Sequence, residues 1–351
     1  MFRPLVPGIV LAGLLSGAAP ALANDSTAEL GTGGLILART DAIAMQKEEL
    51  FISEEIVRVD YVFRNETDAD VDTIVAFPMP DIDGNPYTMP AIPNDADANF
   101  LGFEVSVDGK PVEAALQQRA FAAGIDVTQE LVAQGVPLYP NGDAASGALA
   151  KIPDAVAADW IDRGIIVVEE YDDGSGWKKV RSPFWRLQSV YWWRSRFPAN
   201  ADVRVSHRYK PSVGSTVGLS FLTGGKPGGE VYEDYKAKYC IDAAFERAVA
   251  KAAAAAKDGE PALYENRIEY VLTTGGNWAN GTIGDFRLTV DKGDPTALIS
   301  FCGSGVRKTG PTTFEMSAKD FYPQRDIDIL LLKRWPGESG EPAAARTGSG
   351  G

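Results

Sequence analysis

The 351 residues contain one histidine, His207, and so one imidazole for proton transfer or metal ligation. It lies in VRVSHRY, alternating with Val203, Val205 and Tyr209, so its side chain shares their inward face and reads as a structural core histidine. With no second histidine and no cysteines at ligand spacing, zinc has no site. No serine sits in a G-x-S-x-G elbow, and Gly225-Lys226 runs into Pro227, which rules out a phosphate loop. Carboxylates are plentiful. Glu169, Glu170, Asp172 and Asp173 stand at a strand end near aromatics, where a glycosidase pair would need two, but a solvated acidic turn explains them. Asp81-Ile82-Asp83-Gly84-Asn85 offers oxygens to a hard cation, yet its glycine is misplaced and no bidentate Glu follows at the required spacing. These residues assign no catalytic set, no metal and no cofactor, and they lean away from an enzyme.

A different chemistry is available on Trp185–Arg194. Taking every second residue, Trp185, Leu187, Tyr191 and Trp193 form an apolar set, while Arg186, Gln188, Val190, Trp192 and Arg194 form a mixed one. Guanidinium groups flanking an indole suit an anionic or sugar-like partner, so Arg186, Gln188, Trp192 and Arg194 are the candidate binding residues. The simpler alternative is an Arg–Trp stack covering a sheet face. Trp278, in GGNWANG, is expected to plug the fold rather than serve a ligand.

These residues must be carried by strands. Val57, Val59, Tyr61 and Phe63 alternate with polar residues, a polar turn follows, and Val71, Thr73, Val75 and Phe77 alternate until Pro78. This predicts a β-hairpin with one apolar face, which needs a second layer to cover it. Residues 24–37 begin polar, where fraying is expected, and then add a strand. Ala114–Ala123, rich in Ala and Gln, reads as a helix capped by Gly124. Asp126 with Gln129 opens a second helix, and Pro153-Asp154 a third that carries Val156, Ala157, Trp160 and Ile161. Ile241, Ala244, Phe245, Ala248 and Val249 mark a later amphipathic helix over 236–258. Strands are expected at Ile165–Tyr171, Val203–Tyr209, Ile268–Thr273, Asp285–Val290, Ala297–Cys302 and Asp326–Leu332.

The expected fold is mainly β (α+β): two antiparallel β-sandwich regions, 24–112 and 165–335, with a helical insertion at 113–164. Residues 336–351, rich in Gly, Ser, Pro and Ala, are expected to be disordered. Arg3, the apolar run Leu5–Leu15 and Ala21-Leu22-Ala23 compose a secretory signal over 1–23, giving a periplasmic or secreted chain that starts at Asn24 and keeps no transmembrane segment. Export makes a Cys240–Cys302 disulfide the expected state of the two cysteines. The net charge is −14, and −15 once Arg3 is removed with residues 1–23, which argues against nucleic acid as a partner.

Four blocks, NDSTAELGTGGL, FRN with VAFPMP, YVLTTGGNWANGTIGDFRLTV and FYPQRDIDILLL, resemble a family of exported bacterial proteins known only as a domain of unknown function. The FRN…AFPMP…F-x-V-x-V-D-G layout is also similar to the β-sandwich of vault/inter-alpha-trypsin modules. Neither resemblance implies an activity. The leading expectation is a non-catalytic interaction or structural protein of the cell envelope, with an unknown protein or glycan as partner. A glycan- or cell-wall-binding module comes second and a carboxylate-dependent hydrolase third.

Overall fold

A computed structural model describes residues 24–31, 34–86, 90–92, 99–172, 174–254 and 263–335. The expected signal segment 1–23, the expected disordered tail 336–351 and Asp173 lie outside these residues.

The chain is mostly strand, and three sheets enclose its principal core. The largest runs in the order Arg307–Lys308, Thr313–Phe321, Ile283–Asp291, Ile43–Ile52, Val57–Asn65, Asp202–Tyr209, Glu104–Val107, Lys110–Val112. Its pairs are antiparallel except Ile283–Asp291 with Ile43–Ile52, which is parallel. The second sheet runs Ile125–Asp126, Ala115–Ala122, Arg186–Phe197, Val71–Pro78, Ser26–Gly31, Gly34–Ala38. A third contains Leu298–Phe301, Ile327–Arg334, Leu263–Tyr270, Val213–Thr216 and Pro90–Ala91. Tyr61, Phe63 and Val205 from the first, Phe77, Leu187 and Trp193 from the second, and Tyr270 and Ile329 from the third meet in one cluster.

Both large sheets draw strands from before residue 112 and after residue 165, so the strands of the two halves interleave. The predicted Val57–Pro80 hairpin is corrected by the same topology. Both strands exist, but Val57–Asn65 pairs with Ile43–Ile52 and Asp202–Tyr209, while Val71–Pro78 pairs with Arg186–Phe197 and Ser26–Gly31. The intervening turn carries the chain from one sheet to the facing one. Asn65 holds it, donating through Nδ2 to the carbonyls of Ala69 and Phe197 at 2.8 and 2.9 Å.

The predicted helix at 114–123 is a strand, Ala115–Ala122, paired over seven positions with Arg186–Phe197. Gly124 serves the turn after it, at φ +79°, rather than capping a helix. Helices Thr128–Ala133, Asp143–Leu149 and Asp154–Asp162 follow. They form a separate small core in which Trp160 and Leu131 pack with Trp185. The predicted helix 236–258 is two helices, Glu230–Tyr239 and Ala243–Ala254, broken where Cys240 takes φ +54°. Phe245 and Val249 seat the second on the outer side of the third sheet, against Leu263, Leu330 and Leu332. Cys240 is bonded to Cys302, which ties the helix junction to the end of Leu298–Phe301.

Candidate functional site

Alternation along Arg186–Phe197 divides its side chains as the sequence requires. Leu187, Tyr191 and Trp193 are buried, Arg186 and Arg194 are exposed, and Gln188 and Trp192 are half-buried. The core set is tightly placed: Tyr191 stacks on Phe103 at 4.3 Å and donates to Asn99 Oδ1 at 2.5 Å. Trp185, just ahead of the strand, is enclosed and donates from Nε1 to the Leu138 carbonyl at 2.7 Å.

The outer set does not form one continuous surface. Trp192 and Val190 pack with Leu35 and Leu37 over Ala28, Ile74 and Ala76, so the Gly34–Ala38 strand lies across this face of the sheet. It is pinned there by Leu35, whose amide donates to Gln117 Oε1 on Ala115–Ala122 at 3.0 Å. The fold-over creates a groove of about 350 Å³ lined by Leu35, Leu37, Met79, Asp81, Gln188 and Val190, with Gln117 and Arg119 on its far side. Arg186 Nε lies 3.0 Å from Asp81 Oδ2, and Gln188 Nε2 donates to the same oxygen at 3.2 Å. Arg186 and Gln188 thus converge through Asp81, while Arg194 stands further along the strand, beyond Trp192. Burial pushes the Asp81 carboxyl above its ordinary range, partly offset by Gln188 and Arg186. Arg119 is engaged by Asp126, at 2.8 Å from its Nε.

The groove therefore offers an apolar floor beside a partly desolvated carboxylate, an amide and an arginine. Such a lining binds by hydrogen bonding and contact. Of the four residues proposed from sequence, Gln188 lines this groove and Arg186 reaches it through Asp81, while Asp81, considered there only as a cation ligand, and Leu35, Leu37, Gln117 and Arg119 join it through the fold. Their membership depends on a strand folding over from residues 34–38, which leaves no local signal.

A second cleft, about 340 Å³, includes Tyr239, Lys238, Arg267, Glu269 and Asp328. Burial raises both the Glu269 and the Asp328 carboxyl, and Lys238 Nζ, 3.1 Å from Asp328 and 3.9 Å from Glu269, opposes this. The acidic turn considered for glycoside chemistry is occupied locally. Asp172 accepts from the amides of Gly174 and Gly176, Lys179 pairs with Glu170, and Ser182 donates to Glu169.

His207 is wholly inside. Its ring sits among Tyr61, Phe77, Phe103 and Trp193 with centroids 4.7 to 5.4 Å away, and its Nε2 is 3.5 Å from Asp25 Oδ1. Burial alone pulls its pKa down to about 3, so the ring is neutral at pH 7. Trp278 is buried against Phe63 and Phe197.

A family model described as a domain of unknown function (DUF4424) matches residues 23–330. The chain belongs to the DUF4424 family. Among solved structures, a Legionella pneumophila protein given a provisional nutrient-binding name is 17% identical, with a TM-score of 0.43 over 89% of this chain and 71% of that one. An M1 zinc metallopeptidase from Deinococcus radiodurans is 10% identical, with a TM-score of 0.24 over 84% of this DUF4424 chain and 43% of the peptidase. Comparison with curated proteins found no match. Among the described residues of this DUF4424 protein, no helix is long and apolar enough to cross a membrane.

Proposed function

We propose that this DUF4424 protein is an exported, non-catalytic binding module of the cell envelope, processed after Ala23 and working in the periplasm or outside the cell. Its binding surface is the groove between Gly34–Ala38 and Arg186–Phe197. The observation that carries this reading is the convergence of Arg186 and Gln188 on the half-buried Asp81 beside the apolar Leu35, Leu37 and Val190. A carboxylate with Asp81's surroundings gains from additional donors, so a ligand rich in hydroxyl or amide groups, with one apolar face, matches the lining.

A glycan or cell-wall polymer is the more specific form of the same reading, favoured by that pairing of an apolar floor with an Asp–Gln–Arg rim. The hydrolase reading ranks behind both. In the Glu269–Asp328 cleft the two carboxyl groups share Lys238, which ties them up in a local ion-pair cluster.

The test is co-sedimentation of the purified chain with isolated cell-wall sacculi and with envelope protein fractions. Gln188→Ala and Asp81→Asn should release the chain while melting within a few degrees of the parent. Equal retention of both variants would remove the groove from the account.

A further inference from the structure

The first described residues, Asn24 and Asp25, are entirely buried. They are also elaborately held. The Asn24 backbone nitrogen donates to Thr274 Oγ1 at 2.6 Å, and that hydroxyl donates back to the Asn24 carbonyl at 2.7 Å. Asn24 Nδ2 donates to Glu48 Oε2 at 3.1 Å, and Tyr61 donates its hydroxyl to Asn24 Oδ1. Trp278 Nε1 donates to the Asp25 carbonyl at 2.6 Å, and Asn277 Nδ2 to Ser26 Oγ at 2.9 Å. Gly275 completes the receptacle, since a Cβ there would stand 2.7 Å from Asn24 Nδ2. The TTGGNW turn is therefore shaped around the residues that follow Ala23.

The charge in this receptacle is one-sided. Asp25 and Glu48 are both fully enclosed, and among the described residues neither pairs with a lysine or arginine. Neither carboxyl oxygen of Asp25 receives a hydrogen bond there. The groups packed around them are Tyr61, Tyr270 and His207, all neutral at pH 7. Two buried carboxyl groups without a cation are costly in ionised form, and burial raises both pKa values.

We propose that hydrolysis of the Ala23–Asn24 bond is a maturation step for the fold itself, leaving the new α-ammonium of Asn24 in this clamp as the cation that Asp25 and Glu48 lack. A peptidase of the export machinery adds water across the bond. Ala23 leaves as a carboxylate, and the Asn24 nitrogen takes up protons to become –NH₃⁺. Thr274 Oγ1 already accepts from that nitrogen, and Glu48, held by the Asn24 side chain, and the adjoining Asp25 gain a neighbouring positive charge. The inference shares the export part of the proposed function and is independent of the groove.

The experiment uses the full chain expressed with its own leader. Intact mass and N-terminal sequencing of the exported protein should give a start at Asn24. Acetylation of that α-amine at neutral pH should then be at least about tenfold slower in the folded protein than in denaturant, because a buried amine reacts only from an opened state. A chain with Gly-Ser inserted between Ala23 and Asn24, processed to leave two residues in front, should melt well below the parent or fail to accumulate. A mature start elsewhere, an α-amine acetylated at its denatured rate, or an extended chain melting like the parent would each overturn the inference. Groove binding, measured on the same samples, separates failure of this inference from failure of the binding reading.

Discussion

The indole of Trp278 donates to the backbone carbonyl of Asp25 at 2.6 Å, joining a turn late in the chain to its first described residues across 253 positions. The TTGGNW turn thus acts as a lock for the Ser26–Gly31 strand, which in turn positions Gly34–Ala38 over the candidate groove.

The tightness of that lock is testable at Gly275. A methyl group there meets the Asn24 amide nitrogen at 2.7 Å, and Asn24 is held by Glu48 and Tyr61, so it has no free direction in which to move. Gly275→Ala should destabilise by ~1–3 kcal/mol, as overpacking does. Thermal unfolding identical to the parent would show that the receptacle is loose.

His207 gives a prediction with a defined sign. Its folded pKa lies near 3 against an ordinary 6.5, so between these values the unfolded chain binds a proton that the folded chain does not. Its contribution is complete above pH 6.5 and is lost as pH falls toward 3. His207→Gln should flatten the dependence of Tm on pH across that window, whatever it does to the plateau. Glu48, pushed up to about 8, acts in the opposite sense while it lacks a cation. That contribution is present below pH 4.5 and fades as pH rises through 8. An unchanged acid slope in His207→Gln would mean that the ring is protonated in the native state.

The Cys240–Cys302 bond closes a separation of 62 residues and fixes the junction of two helices to a sheet edge. Arg325 reinforces the same corner, donating to the carbonyls of Ala237 and Lys238 at 3.2 and 3.0 Å. Cys240→Ser should cost ~2–5 kcal/mol. Chemical denaturation of oxidised parent and variant measures it, and overlapping curves would contradict it.

Adjacent tryptophans should behave differently. Trp193 is core, edge-on to His207 at 5.3 Å, and its replacement by Ala should cost ~3–5 kcal/mol. Trp192 is half-buried over Ala76 and Ile74, so Trp192→Ala should cost about half as much, in proportion to the smaller apolar area it covers. Equal losses in denaturant melts would mean that the outer face is packed like the inner one.

Much of the strand content was legible because alternation records burial directly. Val57–Phe63 and Val203–Tyr209 show it cleanly. Alternation identifies faces, however, and not partners, so the Val57–Pro80 segment looked like a hairpin when it is a crossing between facing sheets. Ala115–Ala122 has helix-forming residues, but pairing with Arg186–Phe197 overrides that weak preference. The polar start at Asn24 suggested fraying, because the donors and acceptors that satisfy it lie some 250 residues away. At the groove, alternation separated the outward residues Arg186 and Gln188 from the core. Asp81 and the covering strand arrive through tertiary contacts that spacing does not encode.

The most direct measurement is hydrogen exchange of the full chain with and without soluble cell-wall glycan fragments. Binding at the groove predicts added protection confined to residues 35–37, 79–82, 117–119 and 186–192, abolished by Asp81→Asn. Protection centred instead on Lys238, Glu269 and Asp328, or no added protection at all, would contradict the assignment.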